Sequence, residues 1–248
     1  MANIKLNEIS TAPPKSAKKD KIKAELGKIT QEISSLQNLL YASSQYALLV
    51  ILQGMDASGK DGTIKNVFSE VNPQGVEVHS FKVPTELERS HDFLWRIHAE
   101  APEKGIIKIF NRSQYEDILV TRVHKNIDDA TAKKRMEAIN HFEKLLTNNN
   151  TIVLKFYLHV SHEEQLKRLN ERLDNPEKKW KYSGGDFKES VYWDEYRKAY
   201  EDAFNNCNDP EWTIVPADKN WYKEYIVASK VRDALKSLHL QYPEIKNI

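Results

Sequence analysis

The sequence predicts an α/β protein in which a parallel sheet lies between two layers of helices. Three observations carry that prediction. Short apolar and β-branched runs alternate with segments of helical period. The first of these runs is apolar without alternation, as a strand buried on both faces requires. It ends in a glycine-bearing turn placed where a helix begins. A chain of 248 residues can bury one large core. One domain is expected over 18–248, behind an arm at 1–17 whose Pro13, Pro14 and small polar residues read as flexible.

Ile22, Leu26, Ile29, Ile33, Leu36 and Leu40 recur three or four apart, on one face of an amphipathic helix that packs on its own domain or on a neighbouring subunit. Tyr46–Gln53 is the buried strand, with a helix expected from Lys60 to about Val71. Val76–Val83 alternates as a second strand and stops at Pro84, and 86–100 reads as a helix. Ile106–Phe110 is the third strand, and helices are expected at Gln114–Val123 and Ala130–Leu146. Thr151–Leu158, rich in β-branched and aromatic residues, is the fourth strand. Ser161 with Glu164 forms a capping-box pattern for a helix reaching Leu173. After a polar interruption come a long helix at Phe187–Asn205, a strand at Trp212–Pro216 and a helix at Tyr222–Leu240. The whole pattern is a three-layer α/β/α sandwich.

Hydrophobic residues at 40% and charged residues at 29% are those of an ordinary globular protein. The 37 Lys and Arg nearly balance the 36 Asp and Glu, so bulk charge draws the chain neither to nucleic acid nor to an anionic membrane. The absence of an apolar run long enough to span a bilayer, or of a hydrophobic leader, makes the cytoplasm the expected location. Cys207 is the only cysteine, which excludes an internal disulfide and a multi-thiolate metal site. The Lys18, Lys19, Lys21 and Lys23 run reads as a solvated helix start.

The sharpest local signal is Gly54-Met-Asp-Ala-Ser-Gly-Lys60, the G-x-x-x-x-G-K pattern between a buried strand and a helix. There, amides of Ala57, Ser58, Gly59 and the helix start face phosphate oxygens, and Lys60 adds a point charge. Asp61 stands where this motif ordinarily has Ser or Thr. The glycines could merely make a tight turn, but Asp56 and Asp61 beside phosphate call for a cation or a proton-bearing acceptor. The third strand runs into Asn111-Arg-Ser-Gln-Tyr-Glu-Asp117, which the carboxyl ends of parallel strands would bring to the same crevice. Arg112 then faces the phosphates, with Glu116, Asp117 and Arg122 either extending the site or serving solubility. Over residues 165–188, Lys167, Arg168, Arg172, Lys178, Lys179, Lys181 and Lys188 outnumber Glu171, Asp174, Glu177 and Asp186. A basic lid at about 168–188 would neutralise phosphate and exclude water; a solvated loop is the other reading. Trp180, Tyr182, Tyr192, Trp193, Trp221 and Tyr222 fit core packing better than base stacking.

The combination of Gly54–Gly62, Asn111–Asp117, Asp174–Tyr182 and Tyr192-Trp-Asp194 resembles the polyphosphate kinase 2 family over about residues 30–240. The resemblance implies a P-loop kinase-like fold and phosphoryl transfer between inorganic polyphosphate and purine nucleotides with Mg²⁺, or Mn²⁺ in its place. It implies Asp56, Lys60 and Arg112 as catalytic residues. Phosphate contacts would come from Gly54, Ala57, Ser58, Gly59, Lys60, Asp61, Gly62, Arg112, Arg122, Arg168, Arg172 and Lys181. Asp56, Glu116 and Asp117 would lie near the acceptor nucleotide, and Asp56 and Asp117 would hold the metal. The Tyr115-Glu-Asp117 version resembles members that phosphorylate both AMP and ADP. A dimer or tetramer is implied, with no nucleic-acid or membrane partner. An ATP-dependent nucleotide or metabolite kinase and a non-catalytic nucleotide- or nucleic-acid-binding module are the alternatives.

Overall fold

Every residue of Ala47–Gln53 is buried, and an apolar run of this kind needs strands on both edges and cover on both faces. The computed structural model, which describes residues 3–177, 179–181 (the side chain of Lys181 excepted) and 184–244, supplies both. Five strands, β1 (Ala47–Gln53), β2 (Val76–Ser80), β3 (Ile107–Asn111), β4 (Thr151–His159) and β5 (Trp212–Pro216), form a parallel sheet in the order β2-β3-β1-β4-β5. The apolar strand is therefore the central one.

The helices are α1 (Lys19–Ser43), α2 (Lys60–Val67), α3 (Glu86–Ser90), α4 (Trp95–His98), α5 (Glu116–Val123), α6 (Asp129–Asn148), α7 (His162–Asp174), α8 (Gly184–Glu189), α9 (Trp193–Asn206) and α10 (Asn220–Lys236). One layer contains α1, α2 and α10, and the other α5, α6 and α9. The amphipathic face of α1 buries Ile29, Ile33 and Leu40, and the helix packs along α10, whose buried stripe includes Val227, Val231 and Leu235. The Ser161 hydroxyl accepts from Glu164 N at 3.2 Å and starts α7 as its capping pattern requires. Asp128 caps α6 in the same way, accepting from Thr131 N at 2.8 Å.

Three departures from the sequence reading have local causes. The helix expected at 86–100 is two short helices, because His91 is extended and Asp92 Oδ1 accepts from Leu94 N at 2.9 Å, which restarts the chain in a new turn. The helix expected at Phe187–Asn205 is divided by a 3₁₀ turn at Ser190–Tyr192. The arm, read as flexible from its composition, packs on the domain as a strap. Leu6 is buried, Leu6 N donates to Glu201 Oε1 at 2.7 Å, and Thr11 Oγ1 donates to Asp218 Oδ2 at 2.7 Å. Composition reports low hydrophobicity but is blind to such long-range hydrogen bonds. Among the described residues no helix is long and apolar enough to cross a membrane.

Candidate active site

In the sheet register Leu52 stands beside Asn111 on one side and Phe156 on the other. The segments that leave β1 and β3 therefore emerge level at one end of the sheet, where β4 runs on to His159. The loop after β1 turns through three positive-φ residues, Gly54 at 153°, Ala57 at 60° and Gly59 at 95°. At Gly59 a side chain is excluded twice, since that φ disfavours an L residue and a Cβ would lie 2.2 Å from Lys223 Nζ. Arg168 Nη1 donates to the carbonyls of Ala57 and Ser58, both at 3.1 Å, and Lys223 Nζ to those of Ser58 and Gly59 at 3.2 and 3.3 Å. In a trans peptide N–H and C=O point oppositely. Holding these carbonyls from outside thus turns the N–H groups of Gly59 and Lys60 to the other side, at the start of α2, where anions are favoured. A Cβ at Gly62 would meet no atom within 4 Å, so the first turn of α2 borders open space.

Lys60 is buried and donates to Gly54 O at 2.8 Å and Met55 O at 3.3 Å. Burial, with the Arg112 guanidinium nearby, brings its pKa down to about 8. Arg112 Nη2 lies 2.6 Å from Asp56 Oδ1, and its Nη1 lies 3.9 Å from Glu116 Oε2. Although burial opposes the charge, Glu116 and Asp56 hold this guanidinium above its usual range. Burial pushes the Glu116 carboxyl up, with Arg112 and Lys60 opposing the shift and Asp56 adding to it. Asn111 Nδ2 donates to Asp61 Oδ1 at 2.9 Å, tying the end of β3 to the start of α2. Asp56, Lys60, Asp61, Asn111, Arg112 and Glu116 thus form one cluster around the loop.

The segment carrying Arg112 is fixed from behind. Gln53 Nε2 donates to Ser113 Oγ at 3.0 Å and Tyr200 OH to Gln53 Oε1 at 3.2 Å. Gln114 and Tyr115 donate to Glu143 at 3.0 and 2.8 Å, and Glu143 is paired with Lys155 at 2.6 Å, both side chains fully buried. From the other side, Arg172 on α7 pairs with Asp186 on α8. The Asp186 carboxyl is pushed up by burial and then by the charge of Asp56. Lys178, Tyr182 and the side chain of Lys181 lie outside the described residues.

Three of the expected site residues are engaged outside this cluster. Asp117 does not meet Asp56; its carboxylate faces Arg96 at 3.4 Å and Arg135 at 3.9 Å, and Glu116 is the acid turned toward the loop. On a helix, adjacent residues point about a quarter turn apart, so only one of the pair can face the crevice. Arg122 is paired with Asp129 at 2.8 Å and Asp202 at 2.6 Å, where it joins α5, α6 and α9. Arg168 belongs to a regular helix and grips loop carbonyls, together with those of Ala217 and Asp218 at 2.8 and 3.2 Å. Among the aromatics, Trp193 stacks on His162 at 4.6 Å, a packing contact.

Gln53, Gln165 and Lys223 were not singled out by the sequence reading. Gln165 Nε2 donates to Asp56 O at 3.1 Å. Their signal was a polar residue in an apolar position: Gln53 closes the all-buried strand, and Lys223 shares the buried stripe of α10 with Val227 and Val231.

The model of the family described as polyphosphate kinase 2 (PPK2) matches residues 16–243. An AMP/ADP-polyphosphate phosphotransferase of Meiothermus ruber is 48% identical over 221 residues, covering 88% of this chain and 83% of the relative. An ADP-polyphosphate phosphotransferase of Rhodopseudomonas palustris is 44% identical over 228 residues, covering 86% and 79%. The crystal structure of polyphosphate kinase 2 from Arthrobacter aurescens TC1 superposes with a TM-score of 0.95 at 40% identity, covering all of this chain and 90% of that one. The match runs from α1 past α10 and includes the Gly54–Lys60 loop and the Asn111–Asp117 segment, so the chain belongs to the polyphosphate kinase 2 family.

Proposed function

We propose that the chain transfers phosphoryl groups between inorganic polyphosphate and AMP or ADP, at the crevice formed by the phosphate loop and the Arg112 segment. The observation that carries this reading is the convergence of Lys60, Arg112, Asp56 and Glu116, drawn from two strand ends; the Arg172–Asp186 pair supports reading α7 and α8 as a lid over them. Phosphoryl transfer asks a protein mainly for positioning and for stabilisation of charge on the moving group. The amides at the start of α2 and the Lys60 ammonium hold linked phosphates. Arg112 balances charge between donor and acceptor, and its hydrogen bond to Asp56, with the longer ion pair to Glu116, orients its guanidinium. Names of relatives support the substrates, and the more similar of the two relatives described above is named for both AMP and ADP.

Among the described residues no three His, Cys, Asp or Glu side chains are grouped to hold a metal ion. Mg²⁺ uses one or two protein carboxylates and takes its other ligands from phosphate and water. Asp56, which sits at the loop paired with Arg112, would hold it, whereas Asp117 lies away from the loop between Arg96 and Arg135. When bound, the ion would neutralise charge on the bridging phosphates. An edge strand, β2, with Val78 52% exposed, and the exposed Val83 in the loop after it offer a homo-oligomer a face on which to form.

The test is an assay of purified protein with AMP or ADP and polyphosphate, without ATP. Nucleotide phosphorylation that consumes polyphosphate and requires Mg²⁺ is expected; phosphorylation only when ATP is added would overturn the proposal.

A further inference from the structure

We propose that Lys223 is a positioning residue for this reaction, its ammonium holding the outward carbonyls of the phosphate loop so that the opposing amides stay turned toward phosphate. The proposal rests on the reading that this loop binds polyphosphate.

Lys223 is 1% exposed on α10, on the same stripe as Val227, Val231 and Leu235. A methionine would pack there without the cost of burying a charge. The amine instead makes three hydrogen bonds, to Ser58 O, Gly59 O and Asn220 Oδ1 at 3.2, 3.3 and 3.1 Å. Its approach depends on the missing side chain at Gly59. Sequence and fold thus match a cation from the last helix to a glycine of the loop, some 164 residues earlier.

The charged groups around Lys223 sharpen the argument. Arg168 on α7 and Lys60 on α2 repel it. Glu224 attracts it, although that carboxylate is engaged by Asn66 at 2.8 Å. Glu164 is engaged by Arg168, and Asp218 by Ser161 N and Thr11. Burial and Arg168 bring the Lys223 pKa down to about 7. A polyanion in the loop favours the ammonium form, so binding draws in a proton. Lys223 then contributes to affinity fully at low pH, and its contribution is lost as pH rises above about 7.

The experiment measures the dissociation constant of tripolyphosphate at pH 6.5 and pH 8.5 for wild type, K223M, K223R and K60M, with thermal unfolding alongside. The probe's own titration cancels when variants are compared at one pH. K223M should bind about tenfold more weakly at pH 6.5. K223R keeps a permanent charge, so its loss of affinity between the two pH values should be at least about threefold smaller than that of wild type. Because this ratio is taken within one variant, the bulk of the arginine drops out of it, and the test stands even where K223M fails to fold. An unchanged ratio in K223R, or wild-type affinity in a folded K223M, would overturn the proposal. K60M separates the two readings: if K60M binds as wild type does, the loop is not the phosphate site, whereas weak binding by K60M with normal K223M and K223R removes only the role of Lys223.

Discussion

Arg112 Nη2 lies 2.6 Å from Asp56 Oδ1, and the arginine reaches it from a backbone φ of 65°. A non-glycine residue in the left-handed region costs about 1 kcal/mol or more and persists where its surroundings hold it. Here they do: Arg112 N donates to Leu52 O at 3.0 Å, and Ser113, Gln114 and Tyr115 are anchored behind it. The turn aims the guanidinium back across β1 at the phosphate loop.

Asp56→Asn should therefore separate chemistry from folding. The substitution keeps the side chain's size and the backbone carbonyl that Gln165 holds, but removes the charge facing Arg112 and the carboxylate proposed for Mg²⁺. Polyphosphate-dependent turnover should fall on the order of a hundredfold or more. The Arg112 and Asp56 side chains are 40% and 22% exposed, so the unfolding free energy should change by no more than about 1 kcal/mol. Near-normal turnover in this variant would remove Asp56 from the mechanism.

Arg112→Ala should move the pH profile as well as the rate. Burial raises the Glu116 pKa and Arg112 opposes that rise, so loss of the guanidinium raises it further. If ionised Glu116 orients the acceptor, the acid limb of kcat/KM must shift to higher pH, with the plateau down by about a hundredfold or more. Arg112→Lys keeps the charge but loses the fork that spans Asp56 and Glu116, and should shift the limb less. An acid limb that stays in place across both variants would separate Glu116 from catalysis.

Elements that follow from local chemistry were legible before the structure. The continuous apolar run of β1, the Gly54–Lys60 turn and the Ser161 cap each state their conformation through residues a few positions apart. That Lys60, Asp56 and Arg112 lie together was legible because parallel strands deliver their loops to one end of the sheet. What escaped was orientation within a helix and the pairing of distant cations. Glu116 and Asp117 are adjacent in sequence, and only tertiary placement of α5 turns one to the loop and the other to Arg96 and Arg135. Arg168 looks like a lid cation in a basic stretch, yet its reach is to the carbonyls of Ala57 and Ser58. Contacts over more than a hundred residues leave no local pattern.

The N-terminal strap makes the same point energetically. Leu6 is 1% exposed, and His159 Nε2 lies 3.1 Å from both Leu6 O and Ile9 O. Truncating so deeply buried a leucine leaves a cavity, so Leu6→Ala should cost about 2–4 kcal/mol in denaturant unfolding. A loose arm would give a change near zero. Such a result would mean that the strap detaches in solution.

The pair of Lys155 and Glu143 offers the strongest stability test, because both side chains are 0% exposed and their nitrogen and oxygen are 2.6 Å apart. Lys155 Nζ also donates to Tyr115 OH at 3.0 Å and Cys207 O at 2.9 Å, and lies 5.2 Å from the Trp212 ring centre. Lys155→Met leaves Glu143 buried without its cation, which should destabilise the fold by about 3–5 kcal/mol. Glu143→Leu strands the ammonium in the same way. The double variant buries neither charge, although Tyr115 OH and Gln114 then lose a partner. Its loss should fall short of the sum of the single losses by about 2 kcal/mol or more in a double-mutant cycle. Additive losses would mean that the two charges act independently, and the network behind Tyr115 could not then be what holds the Arg112 segment in place.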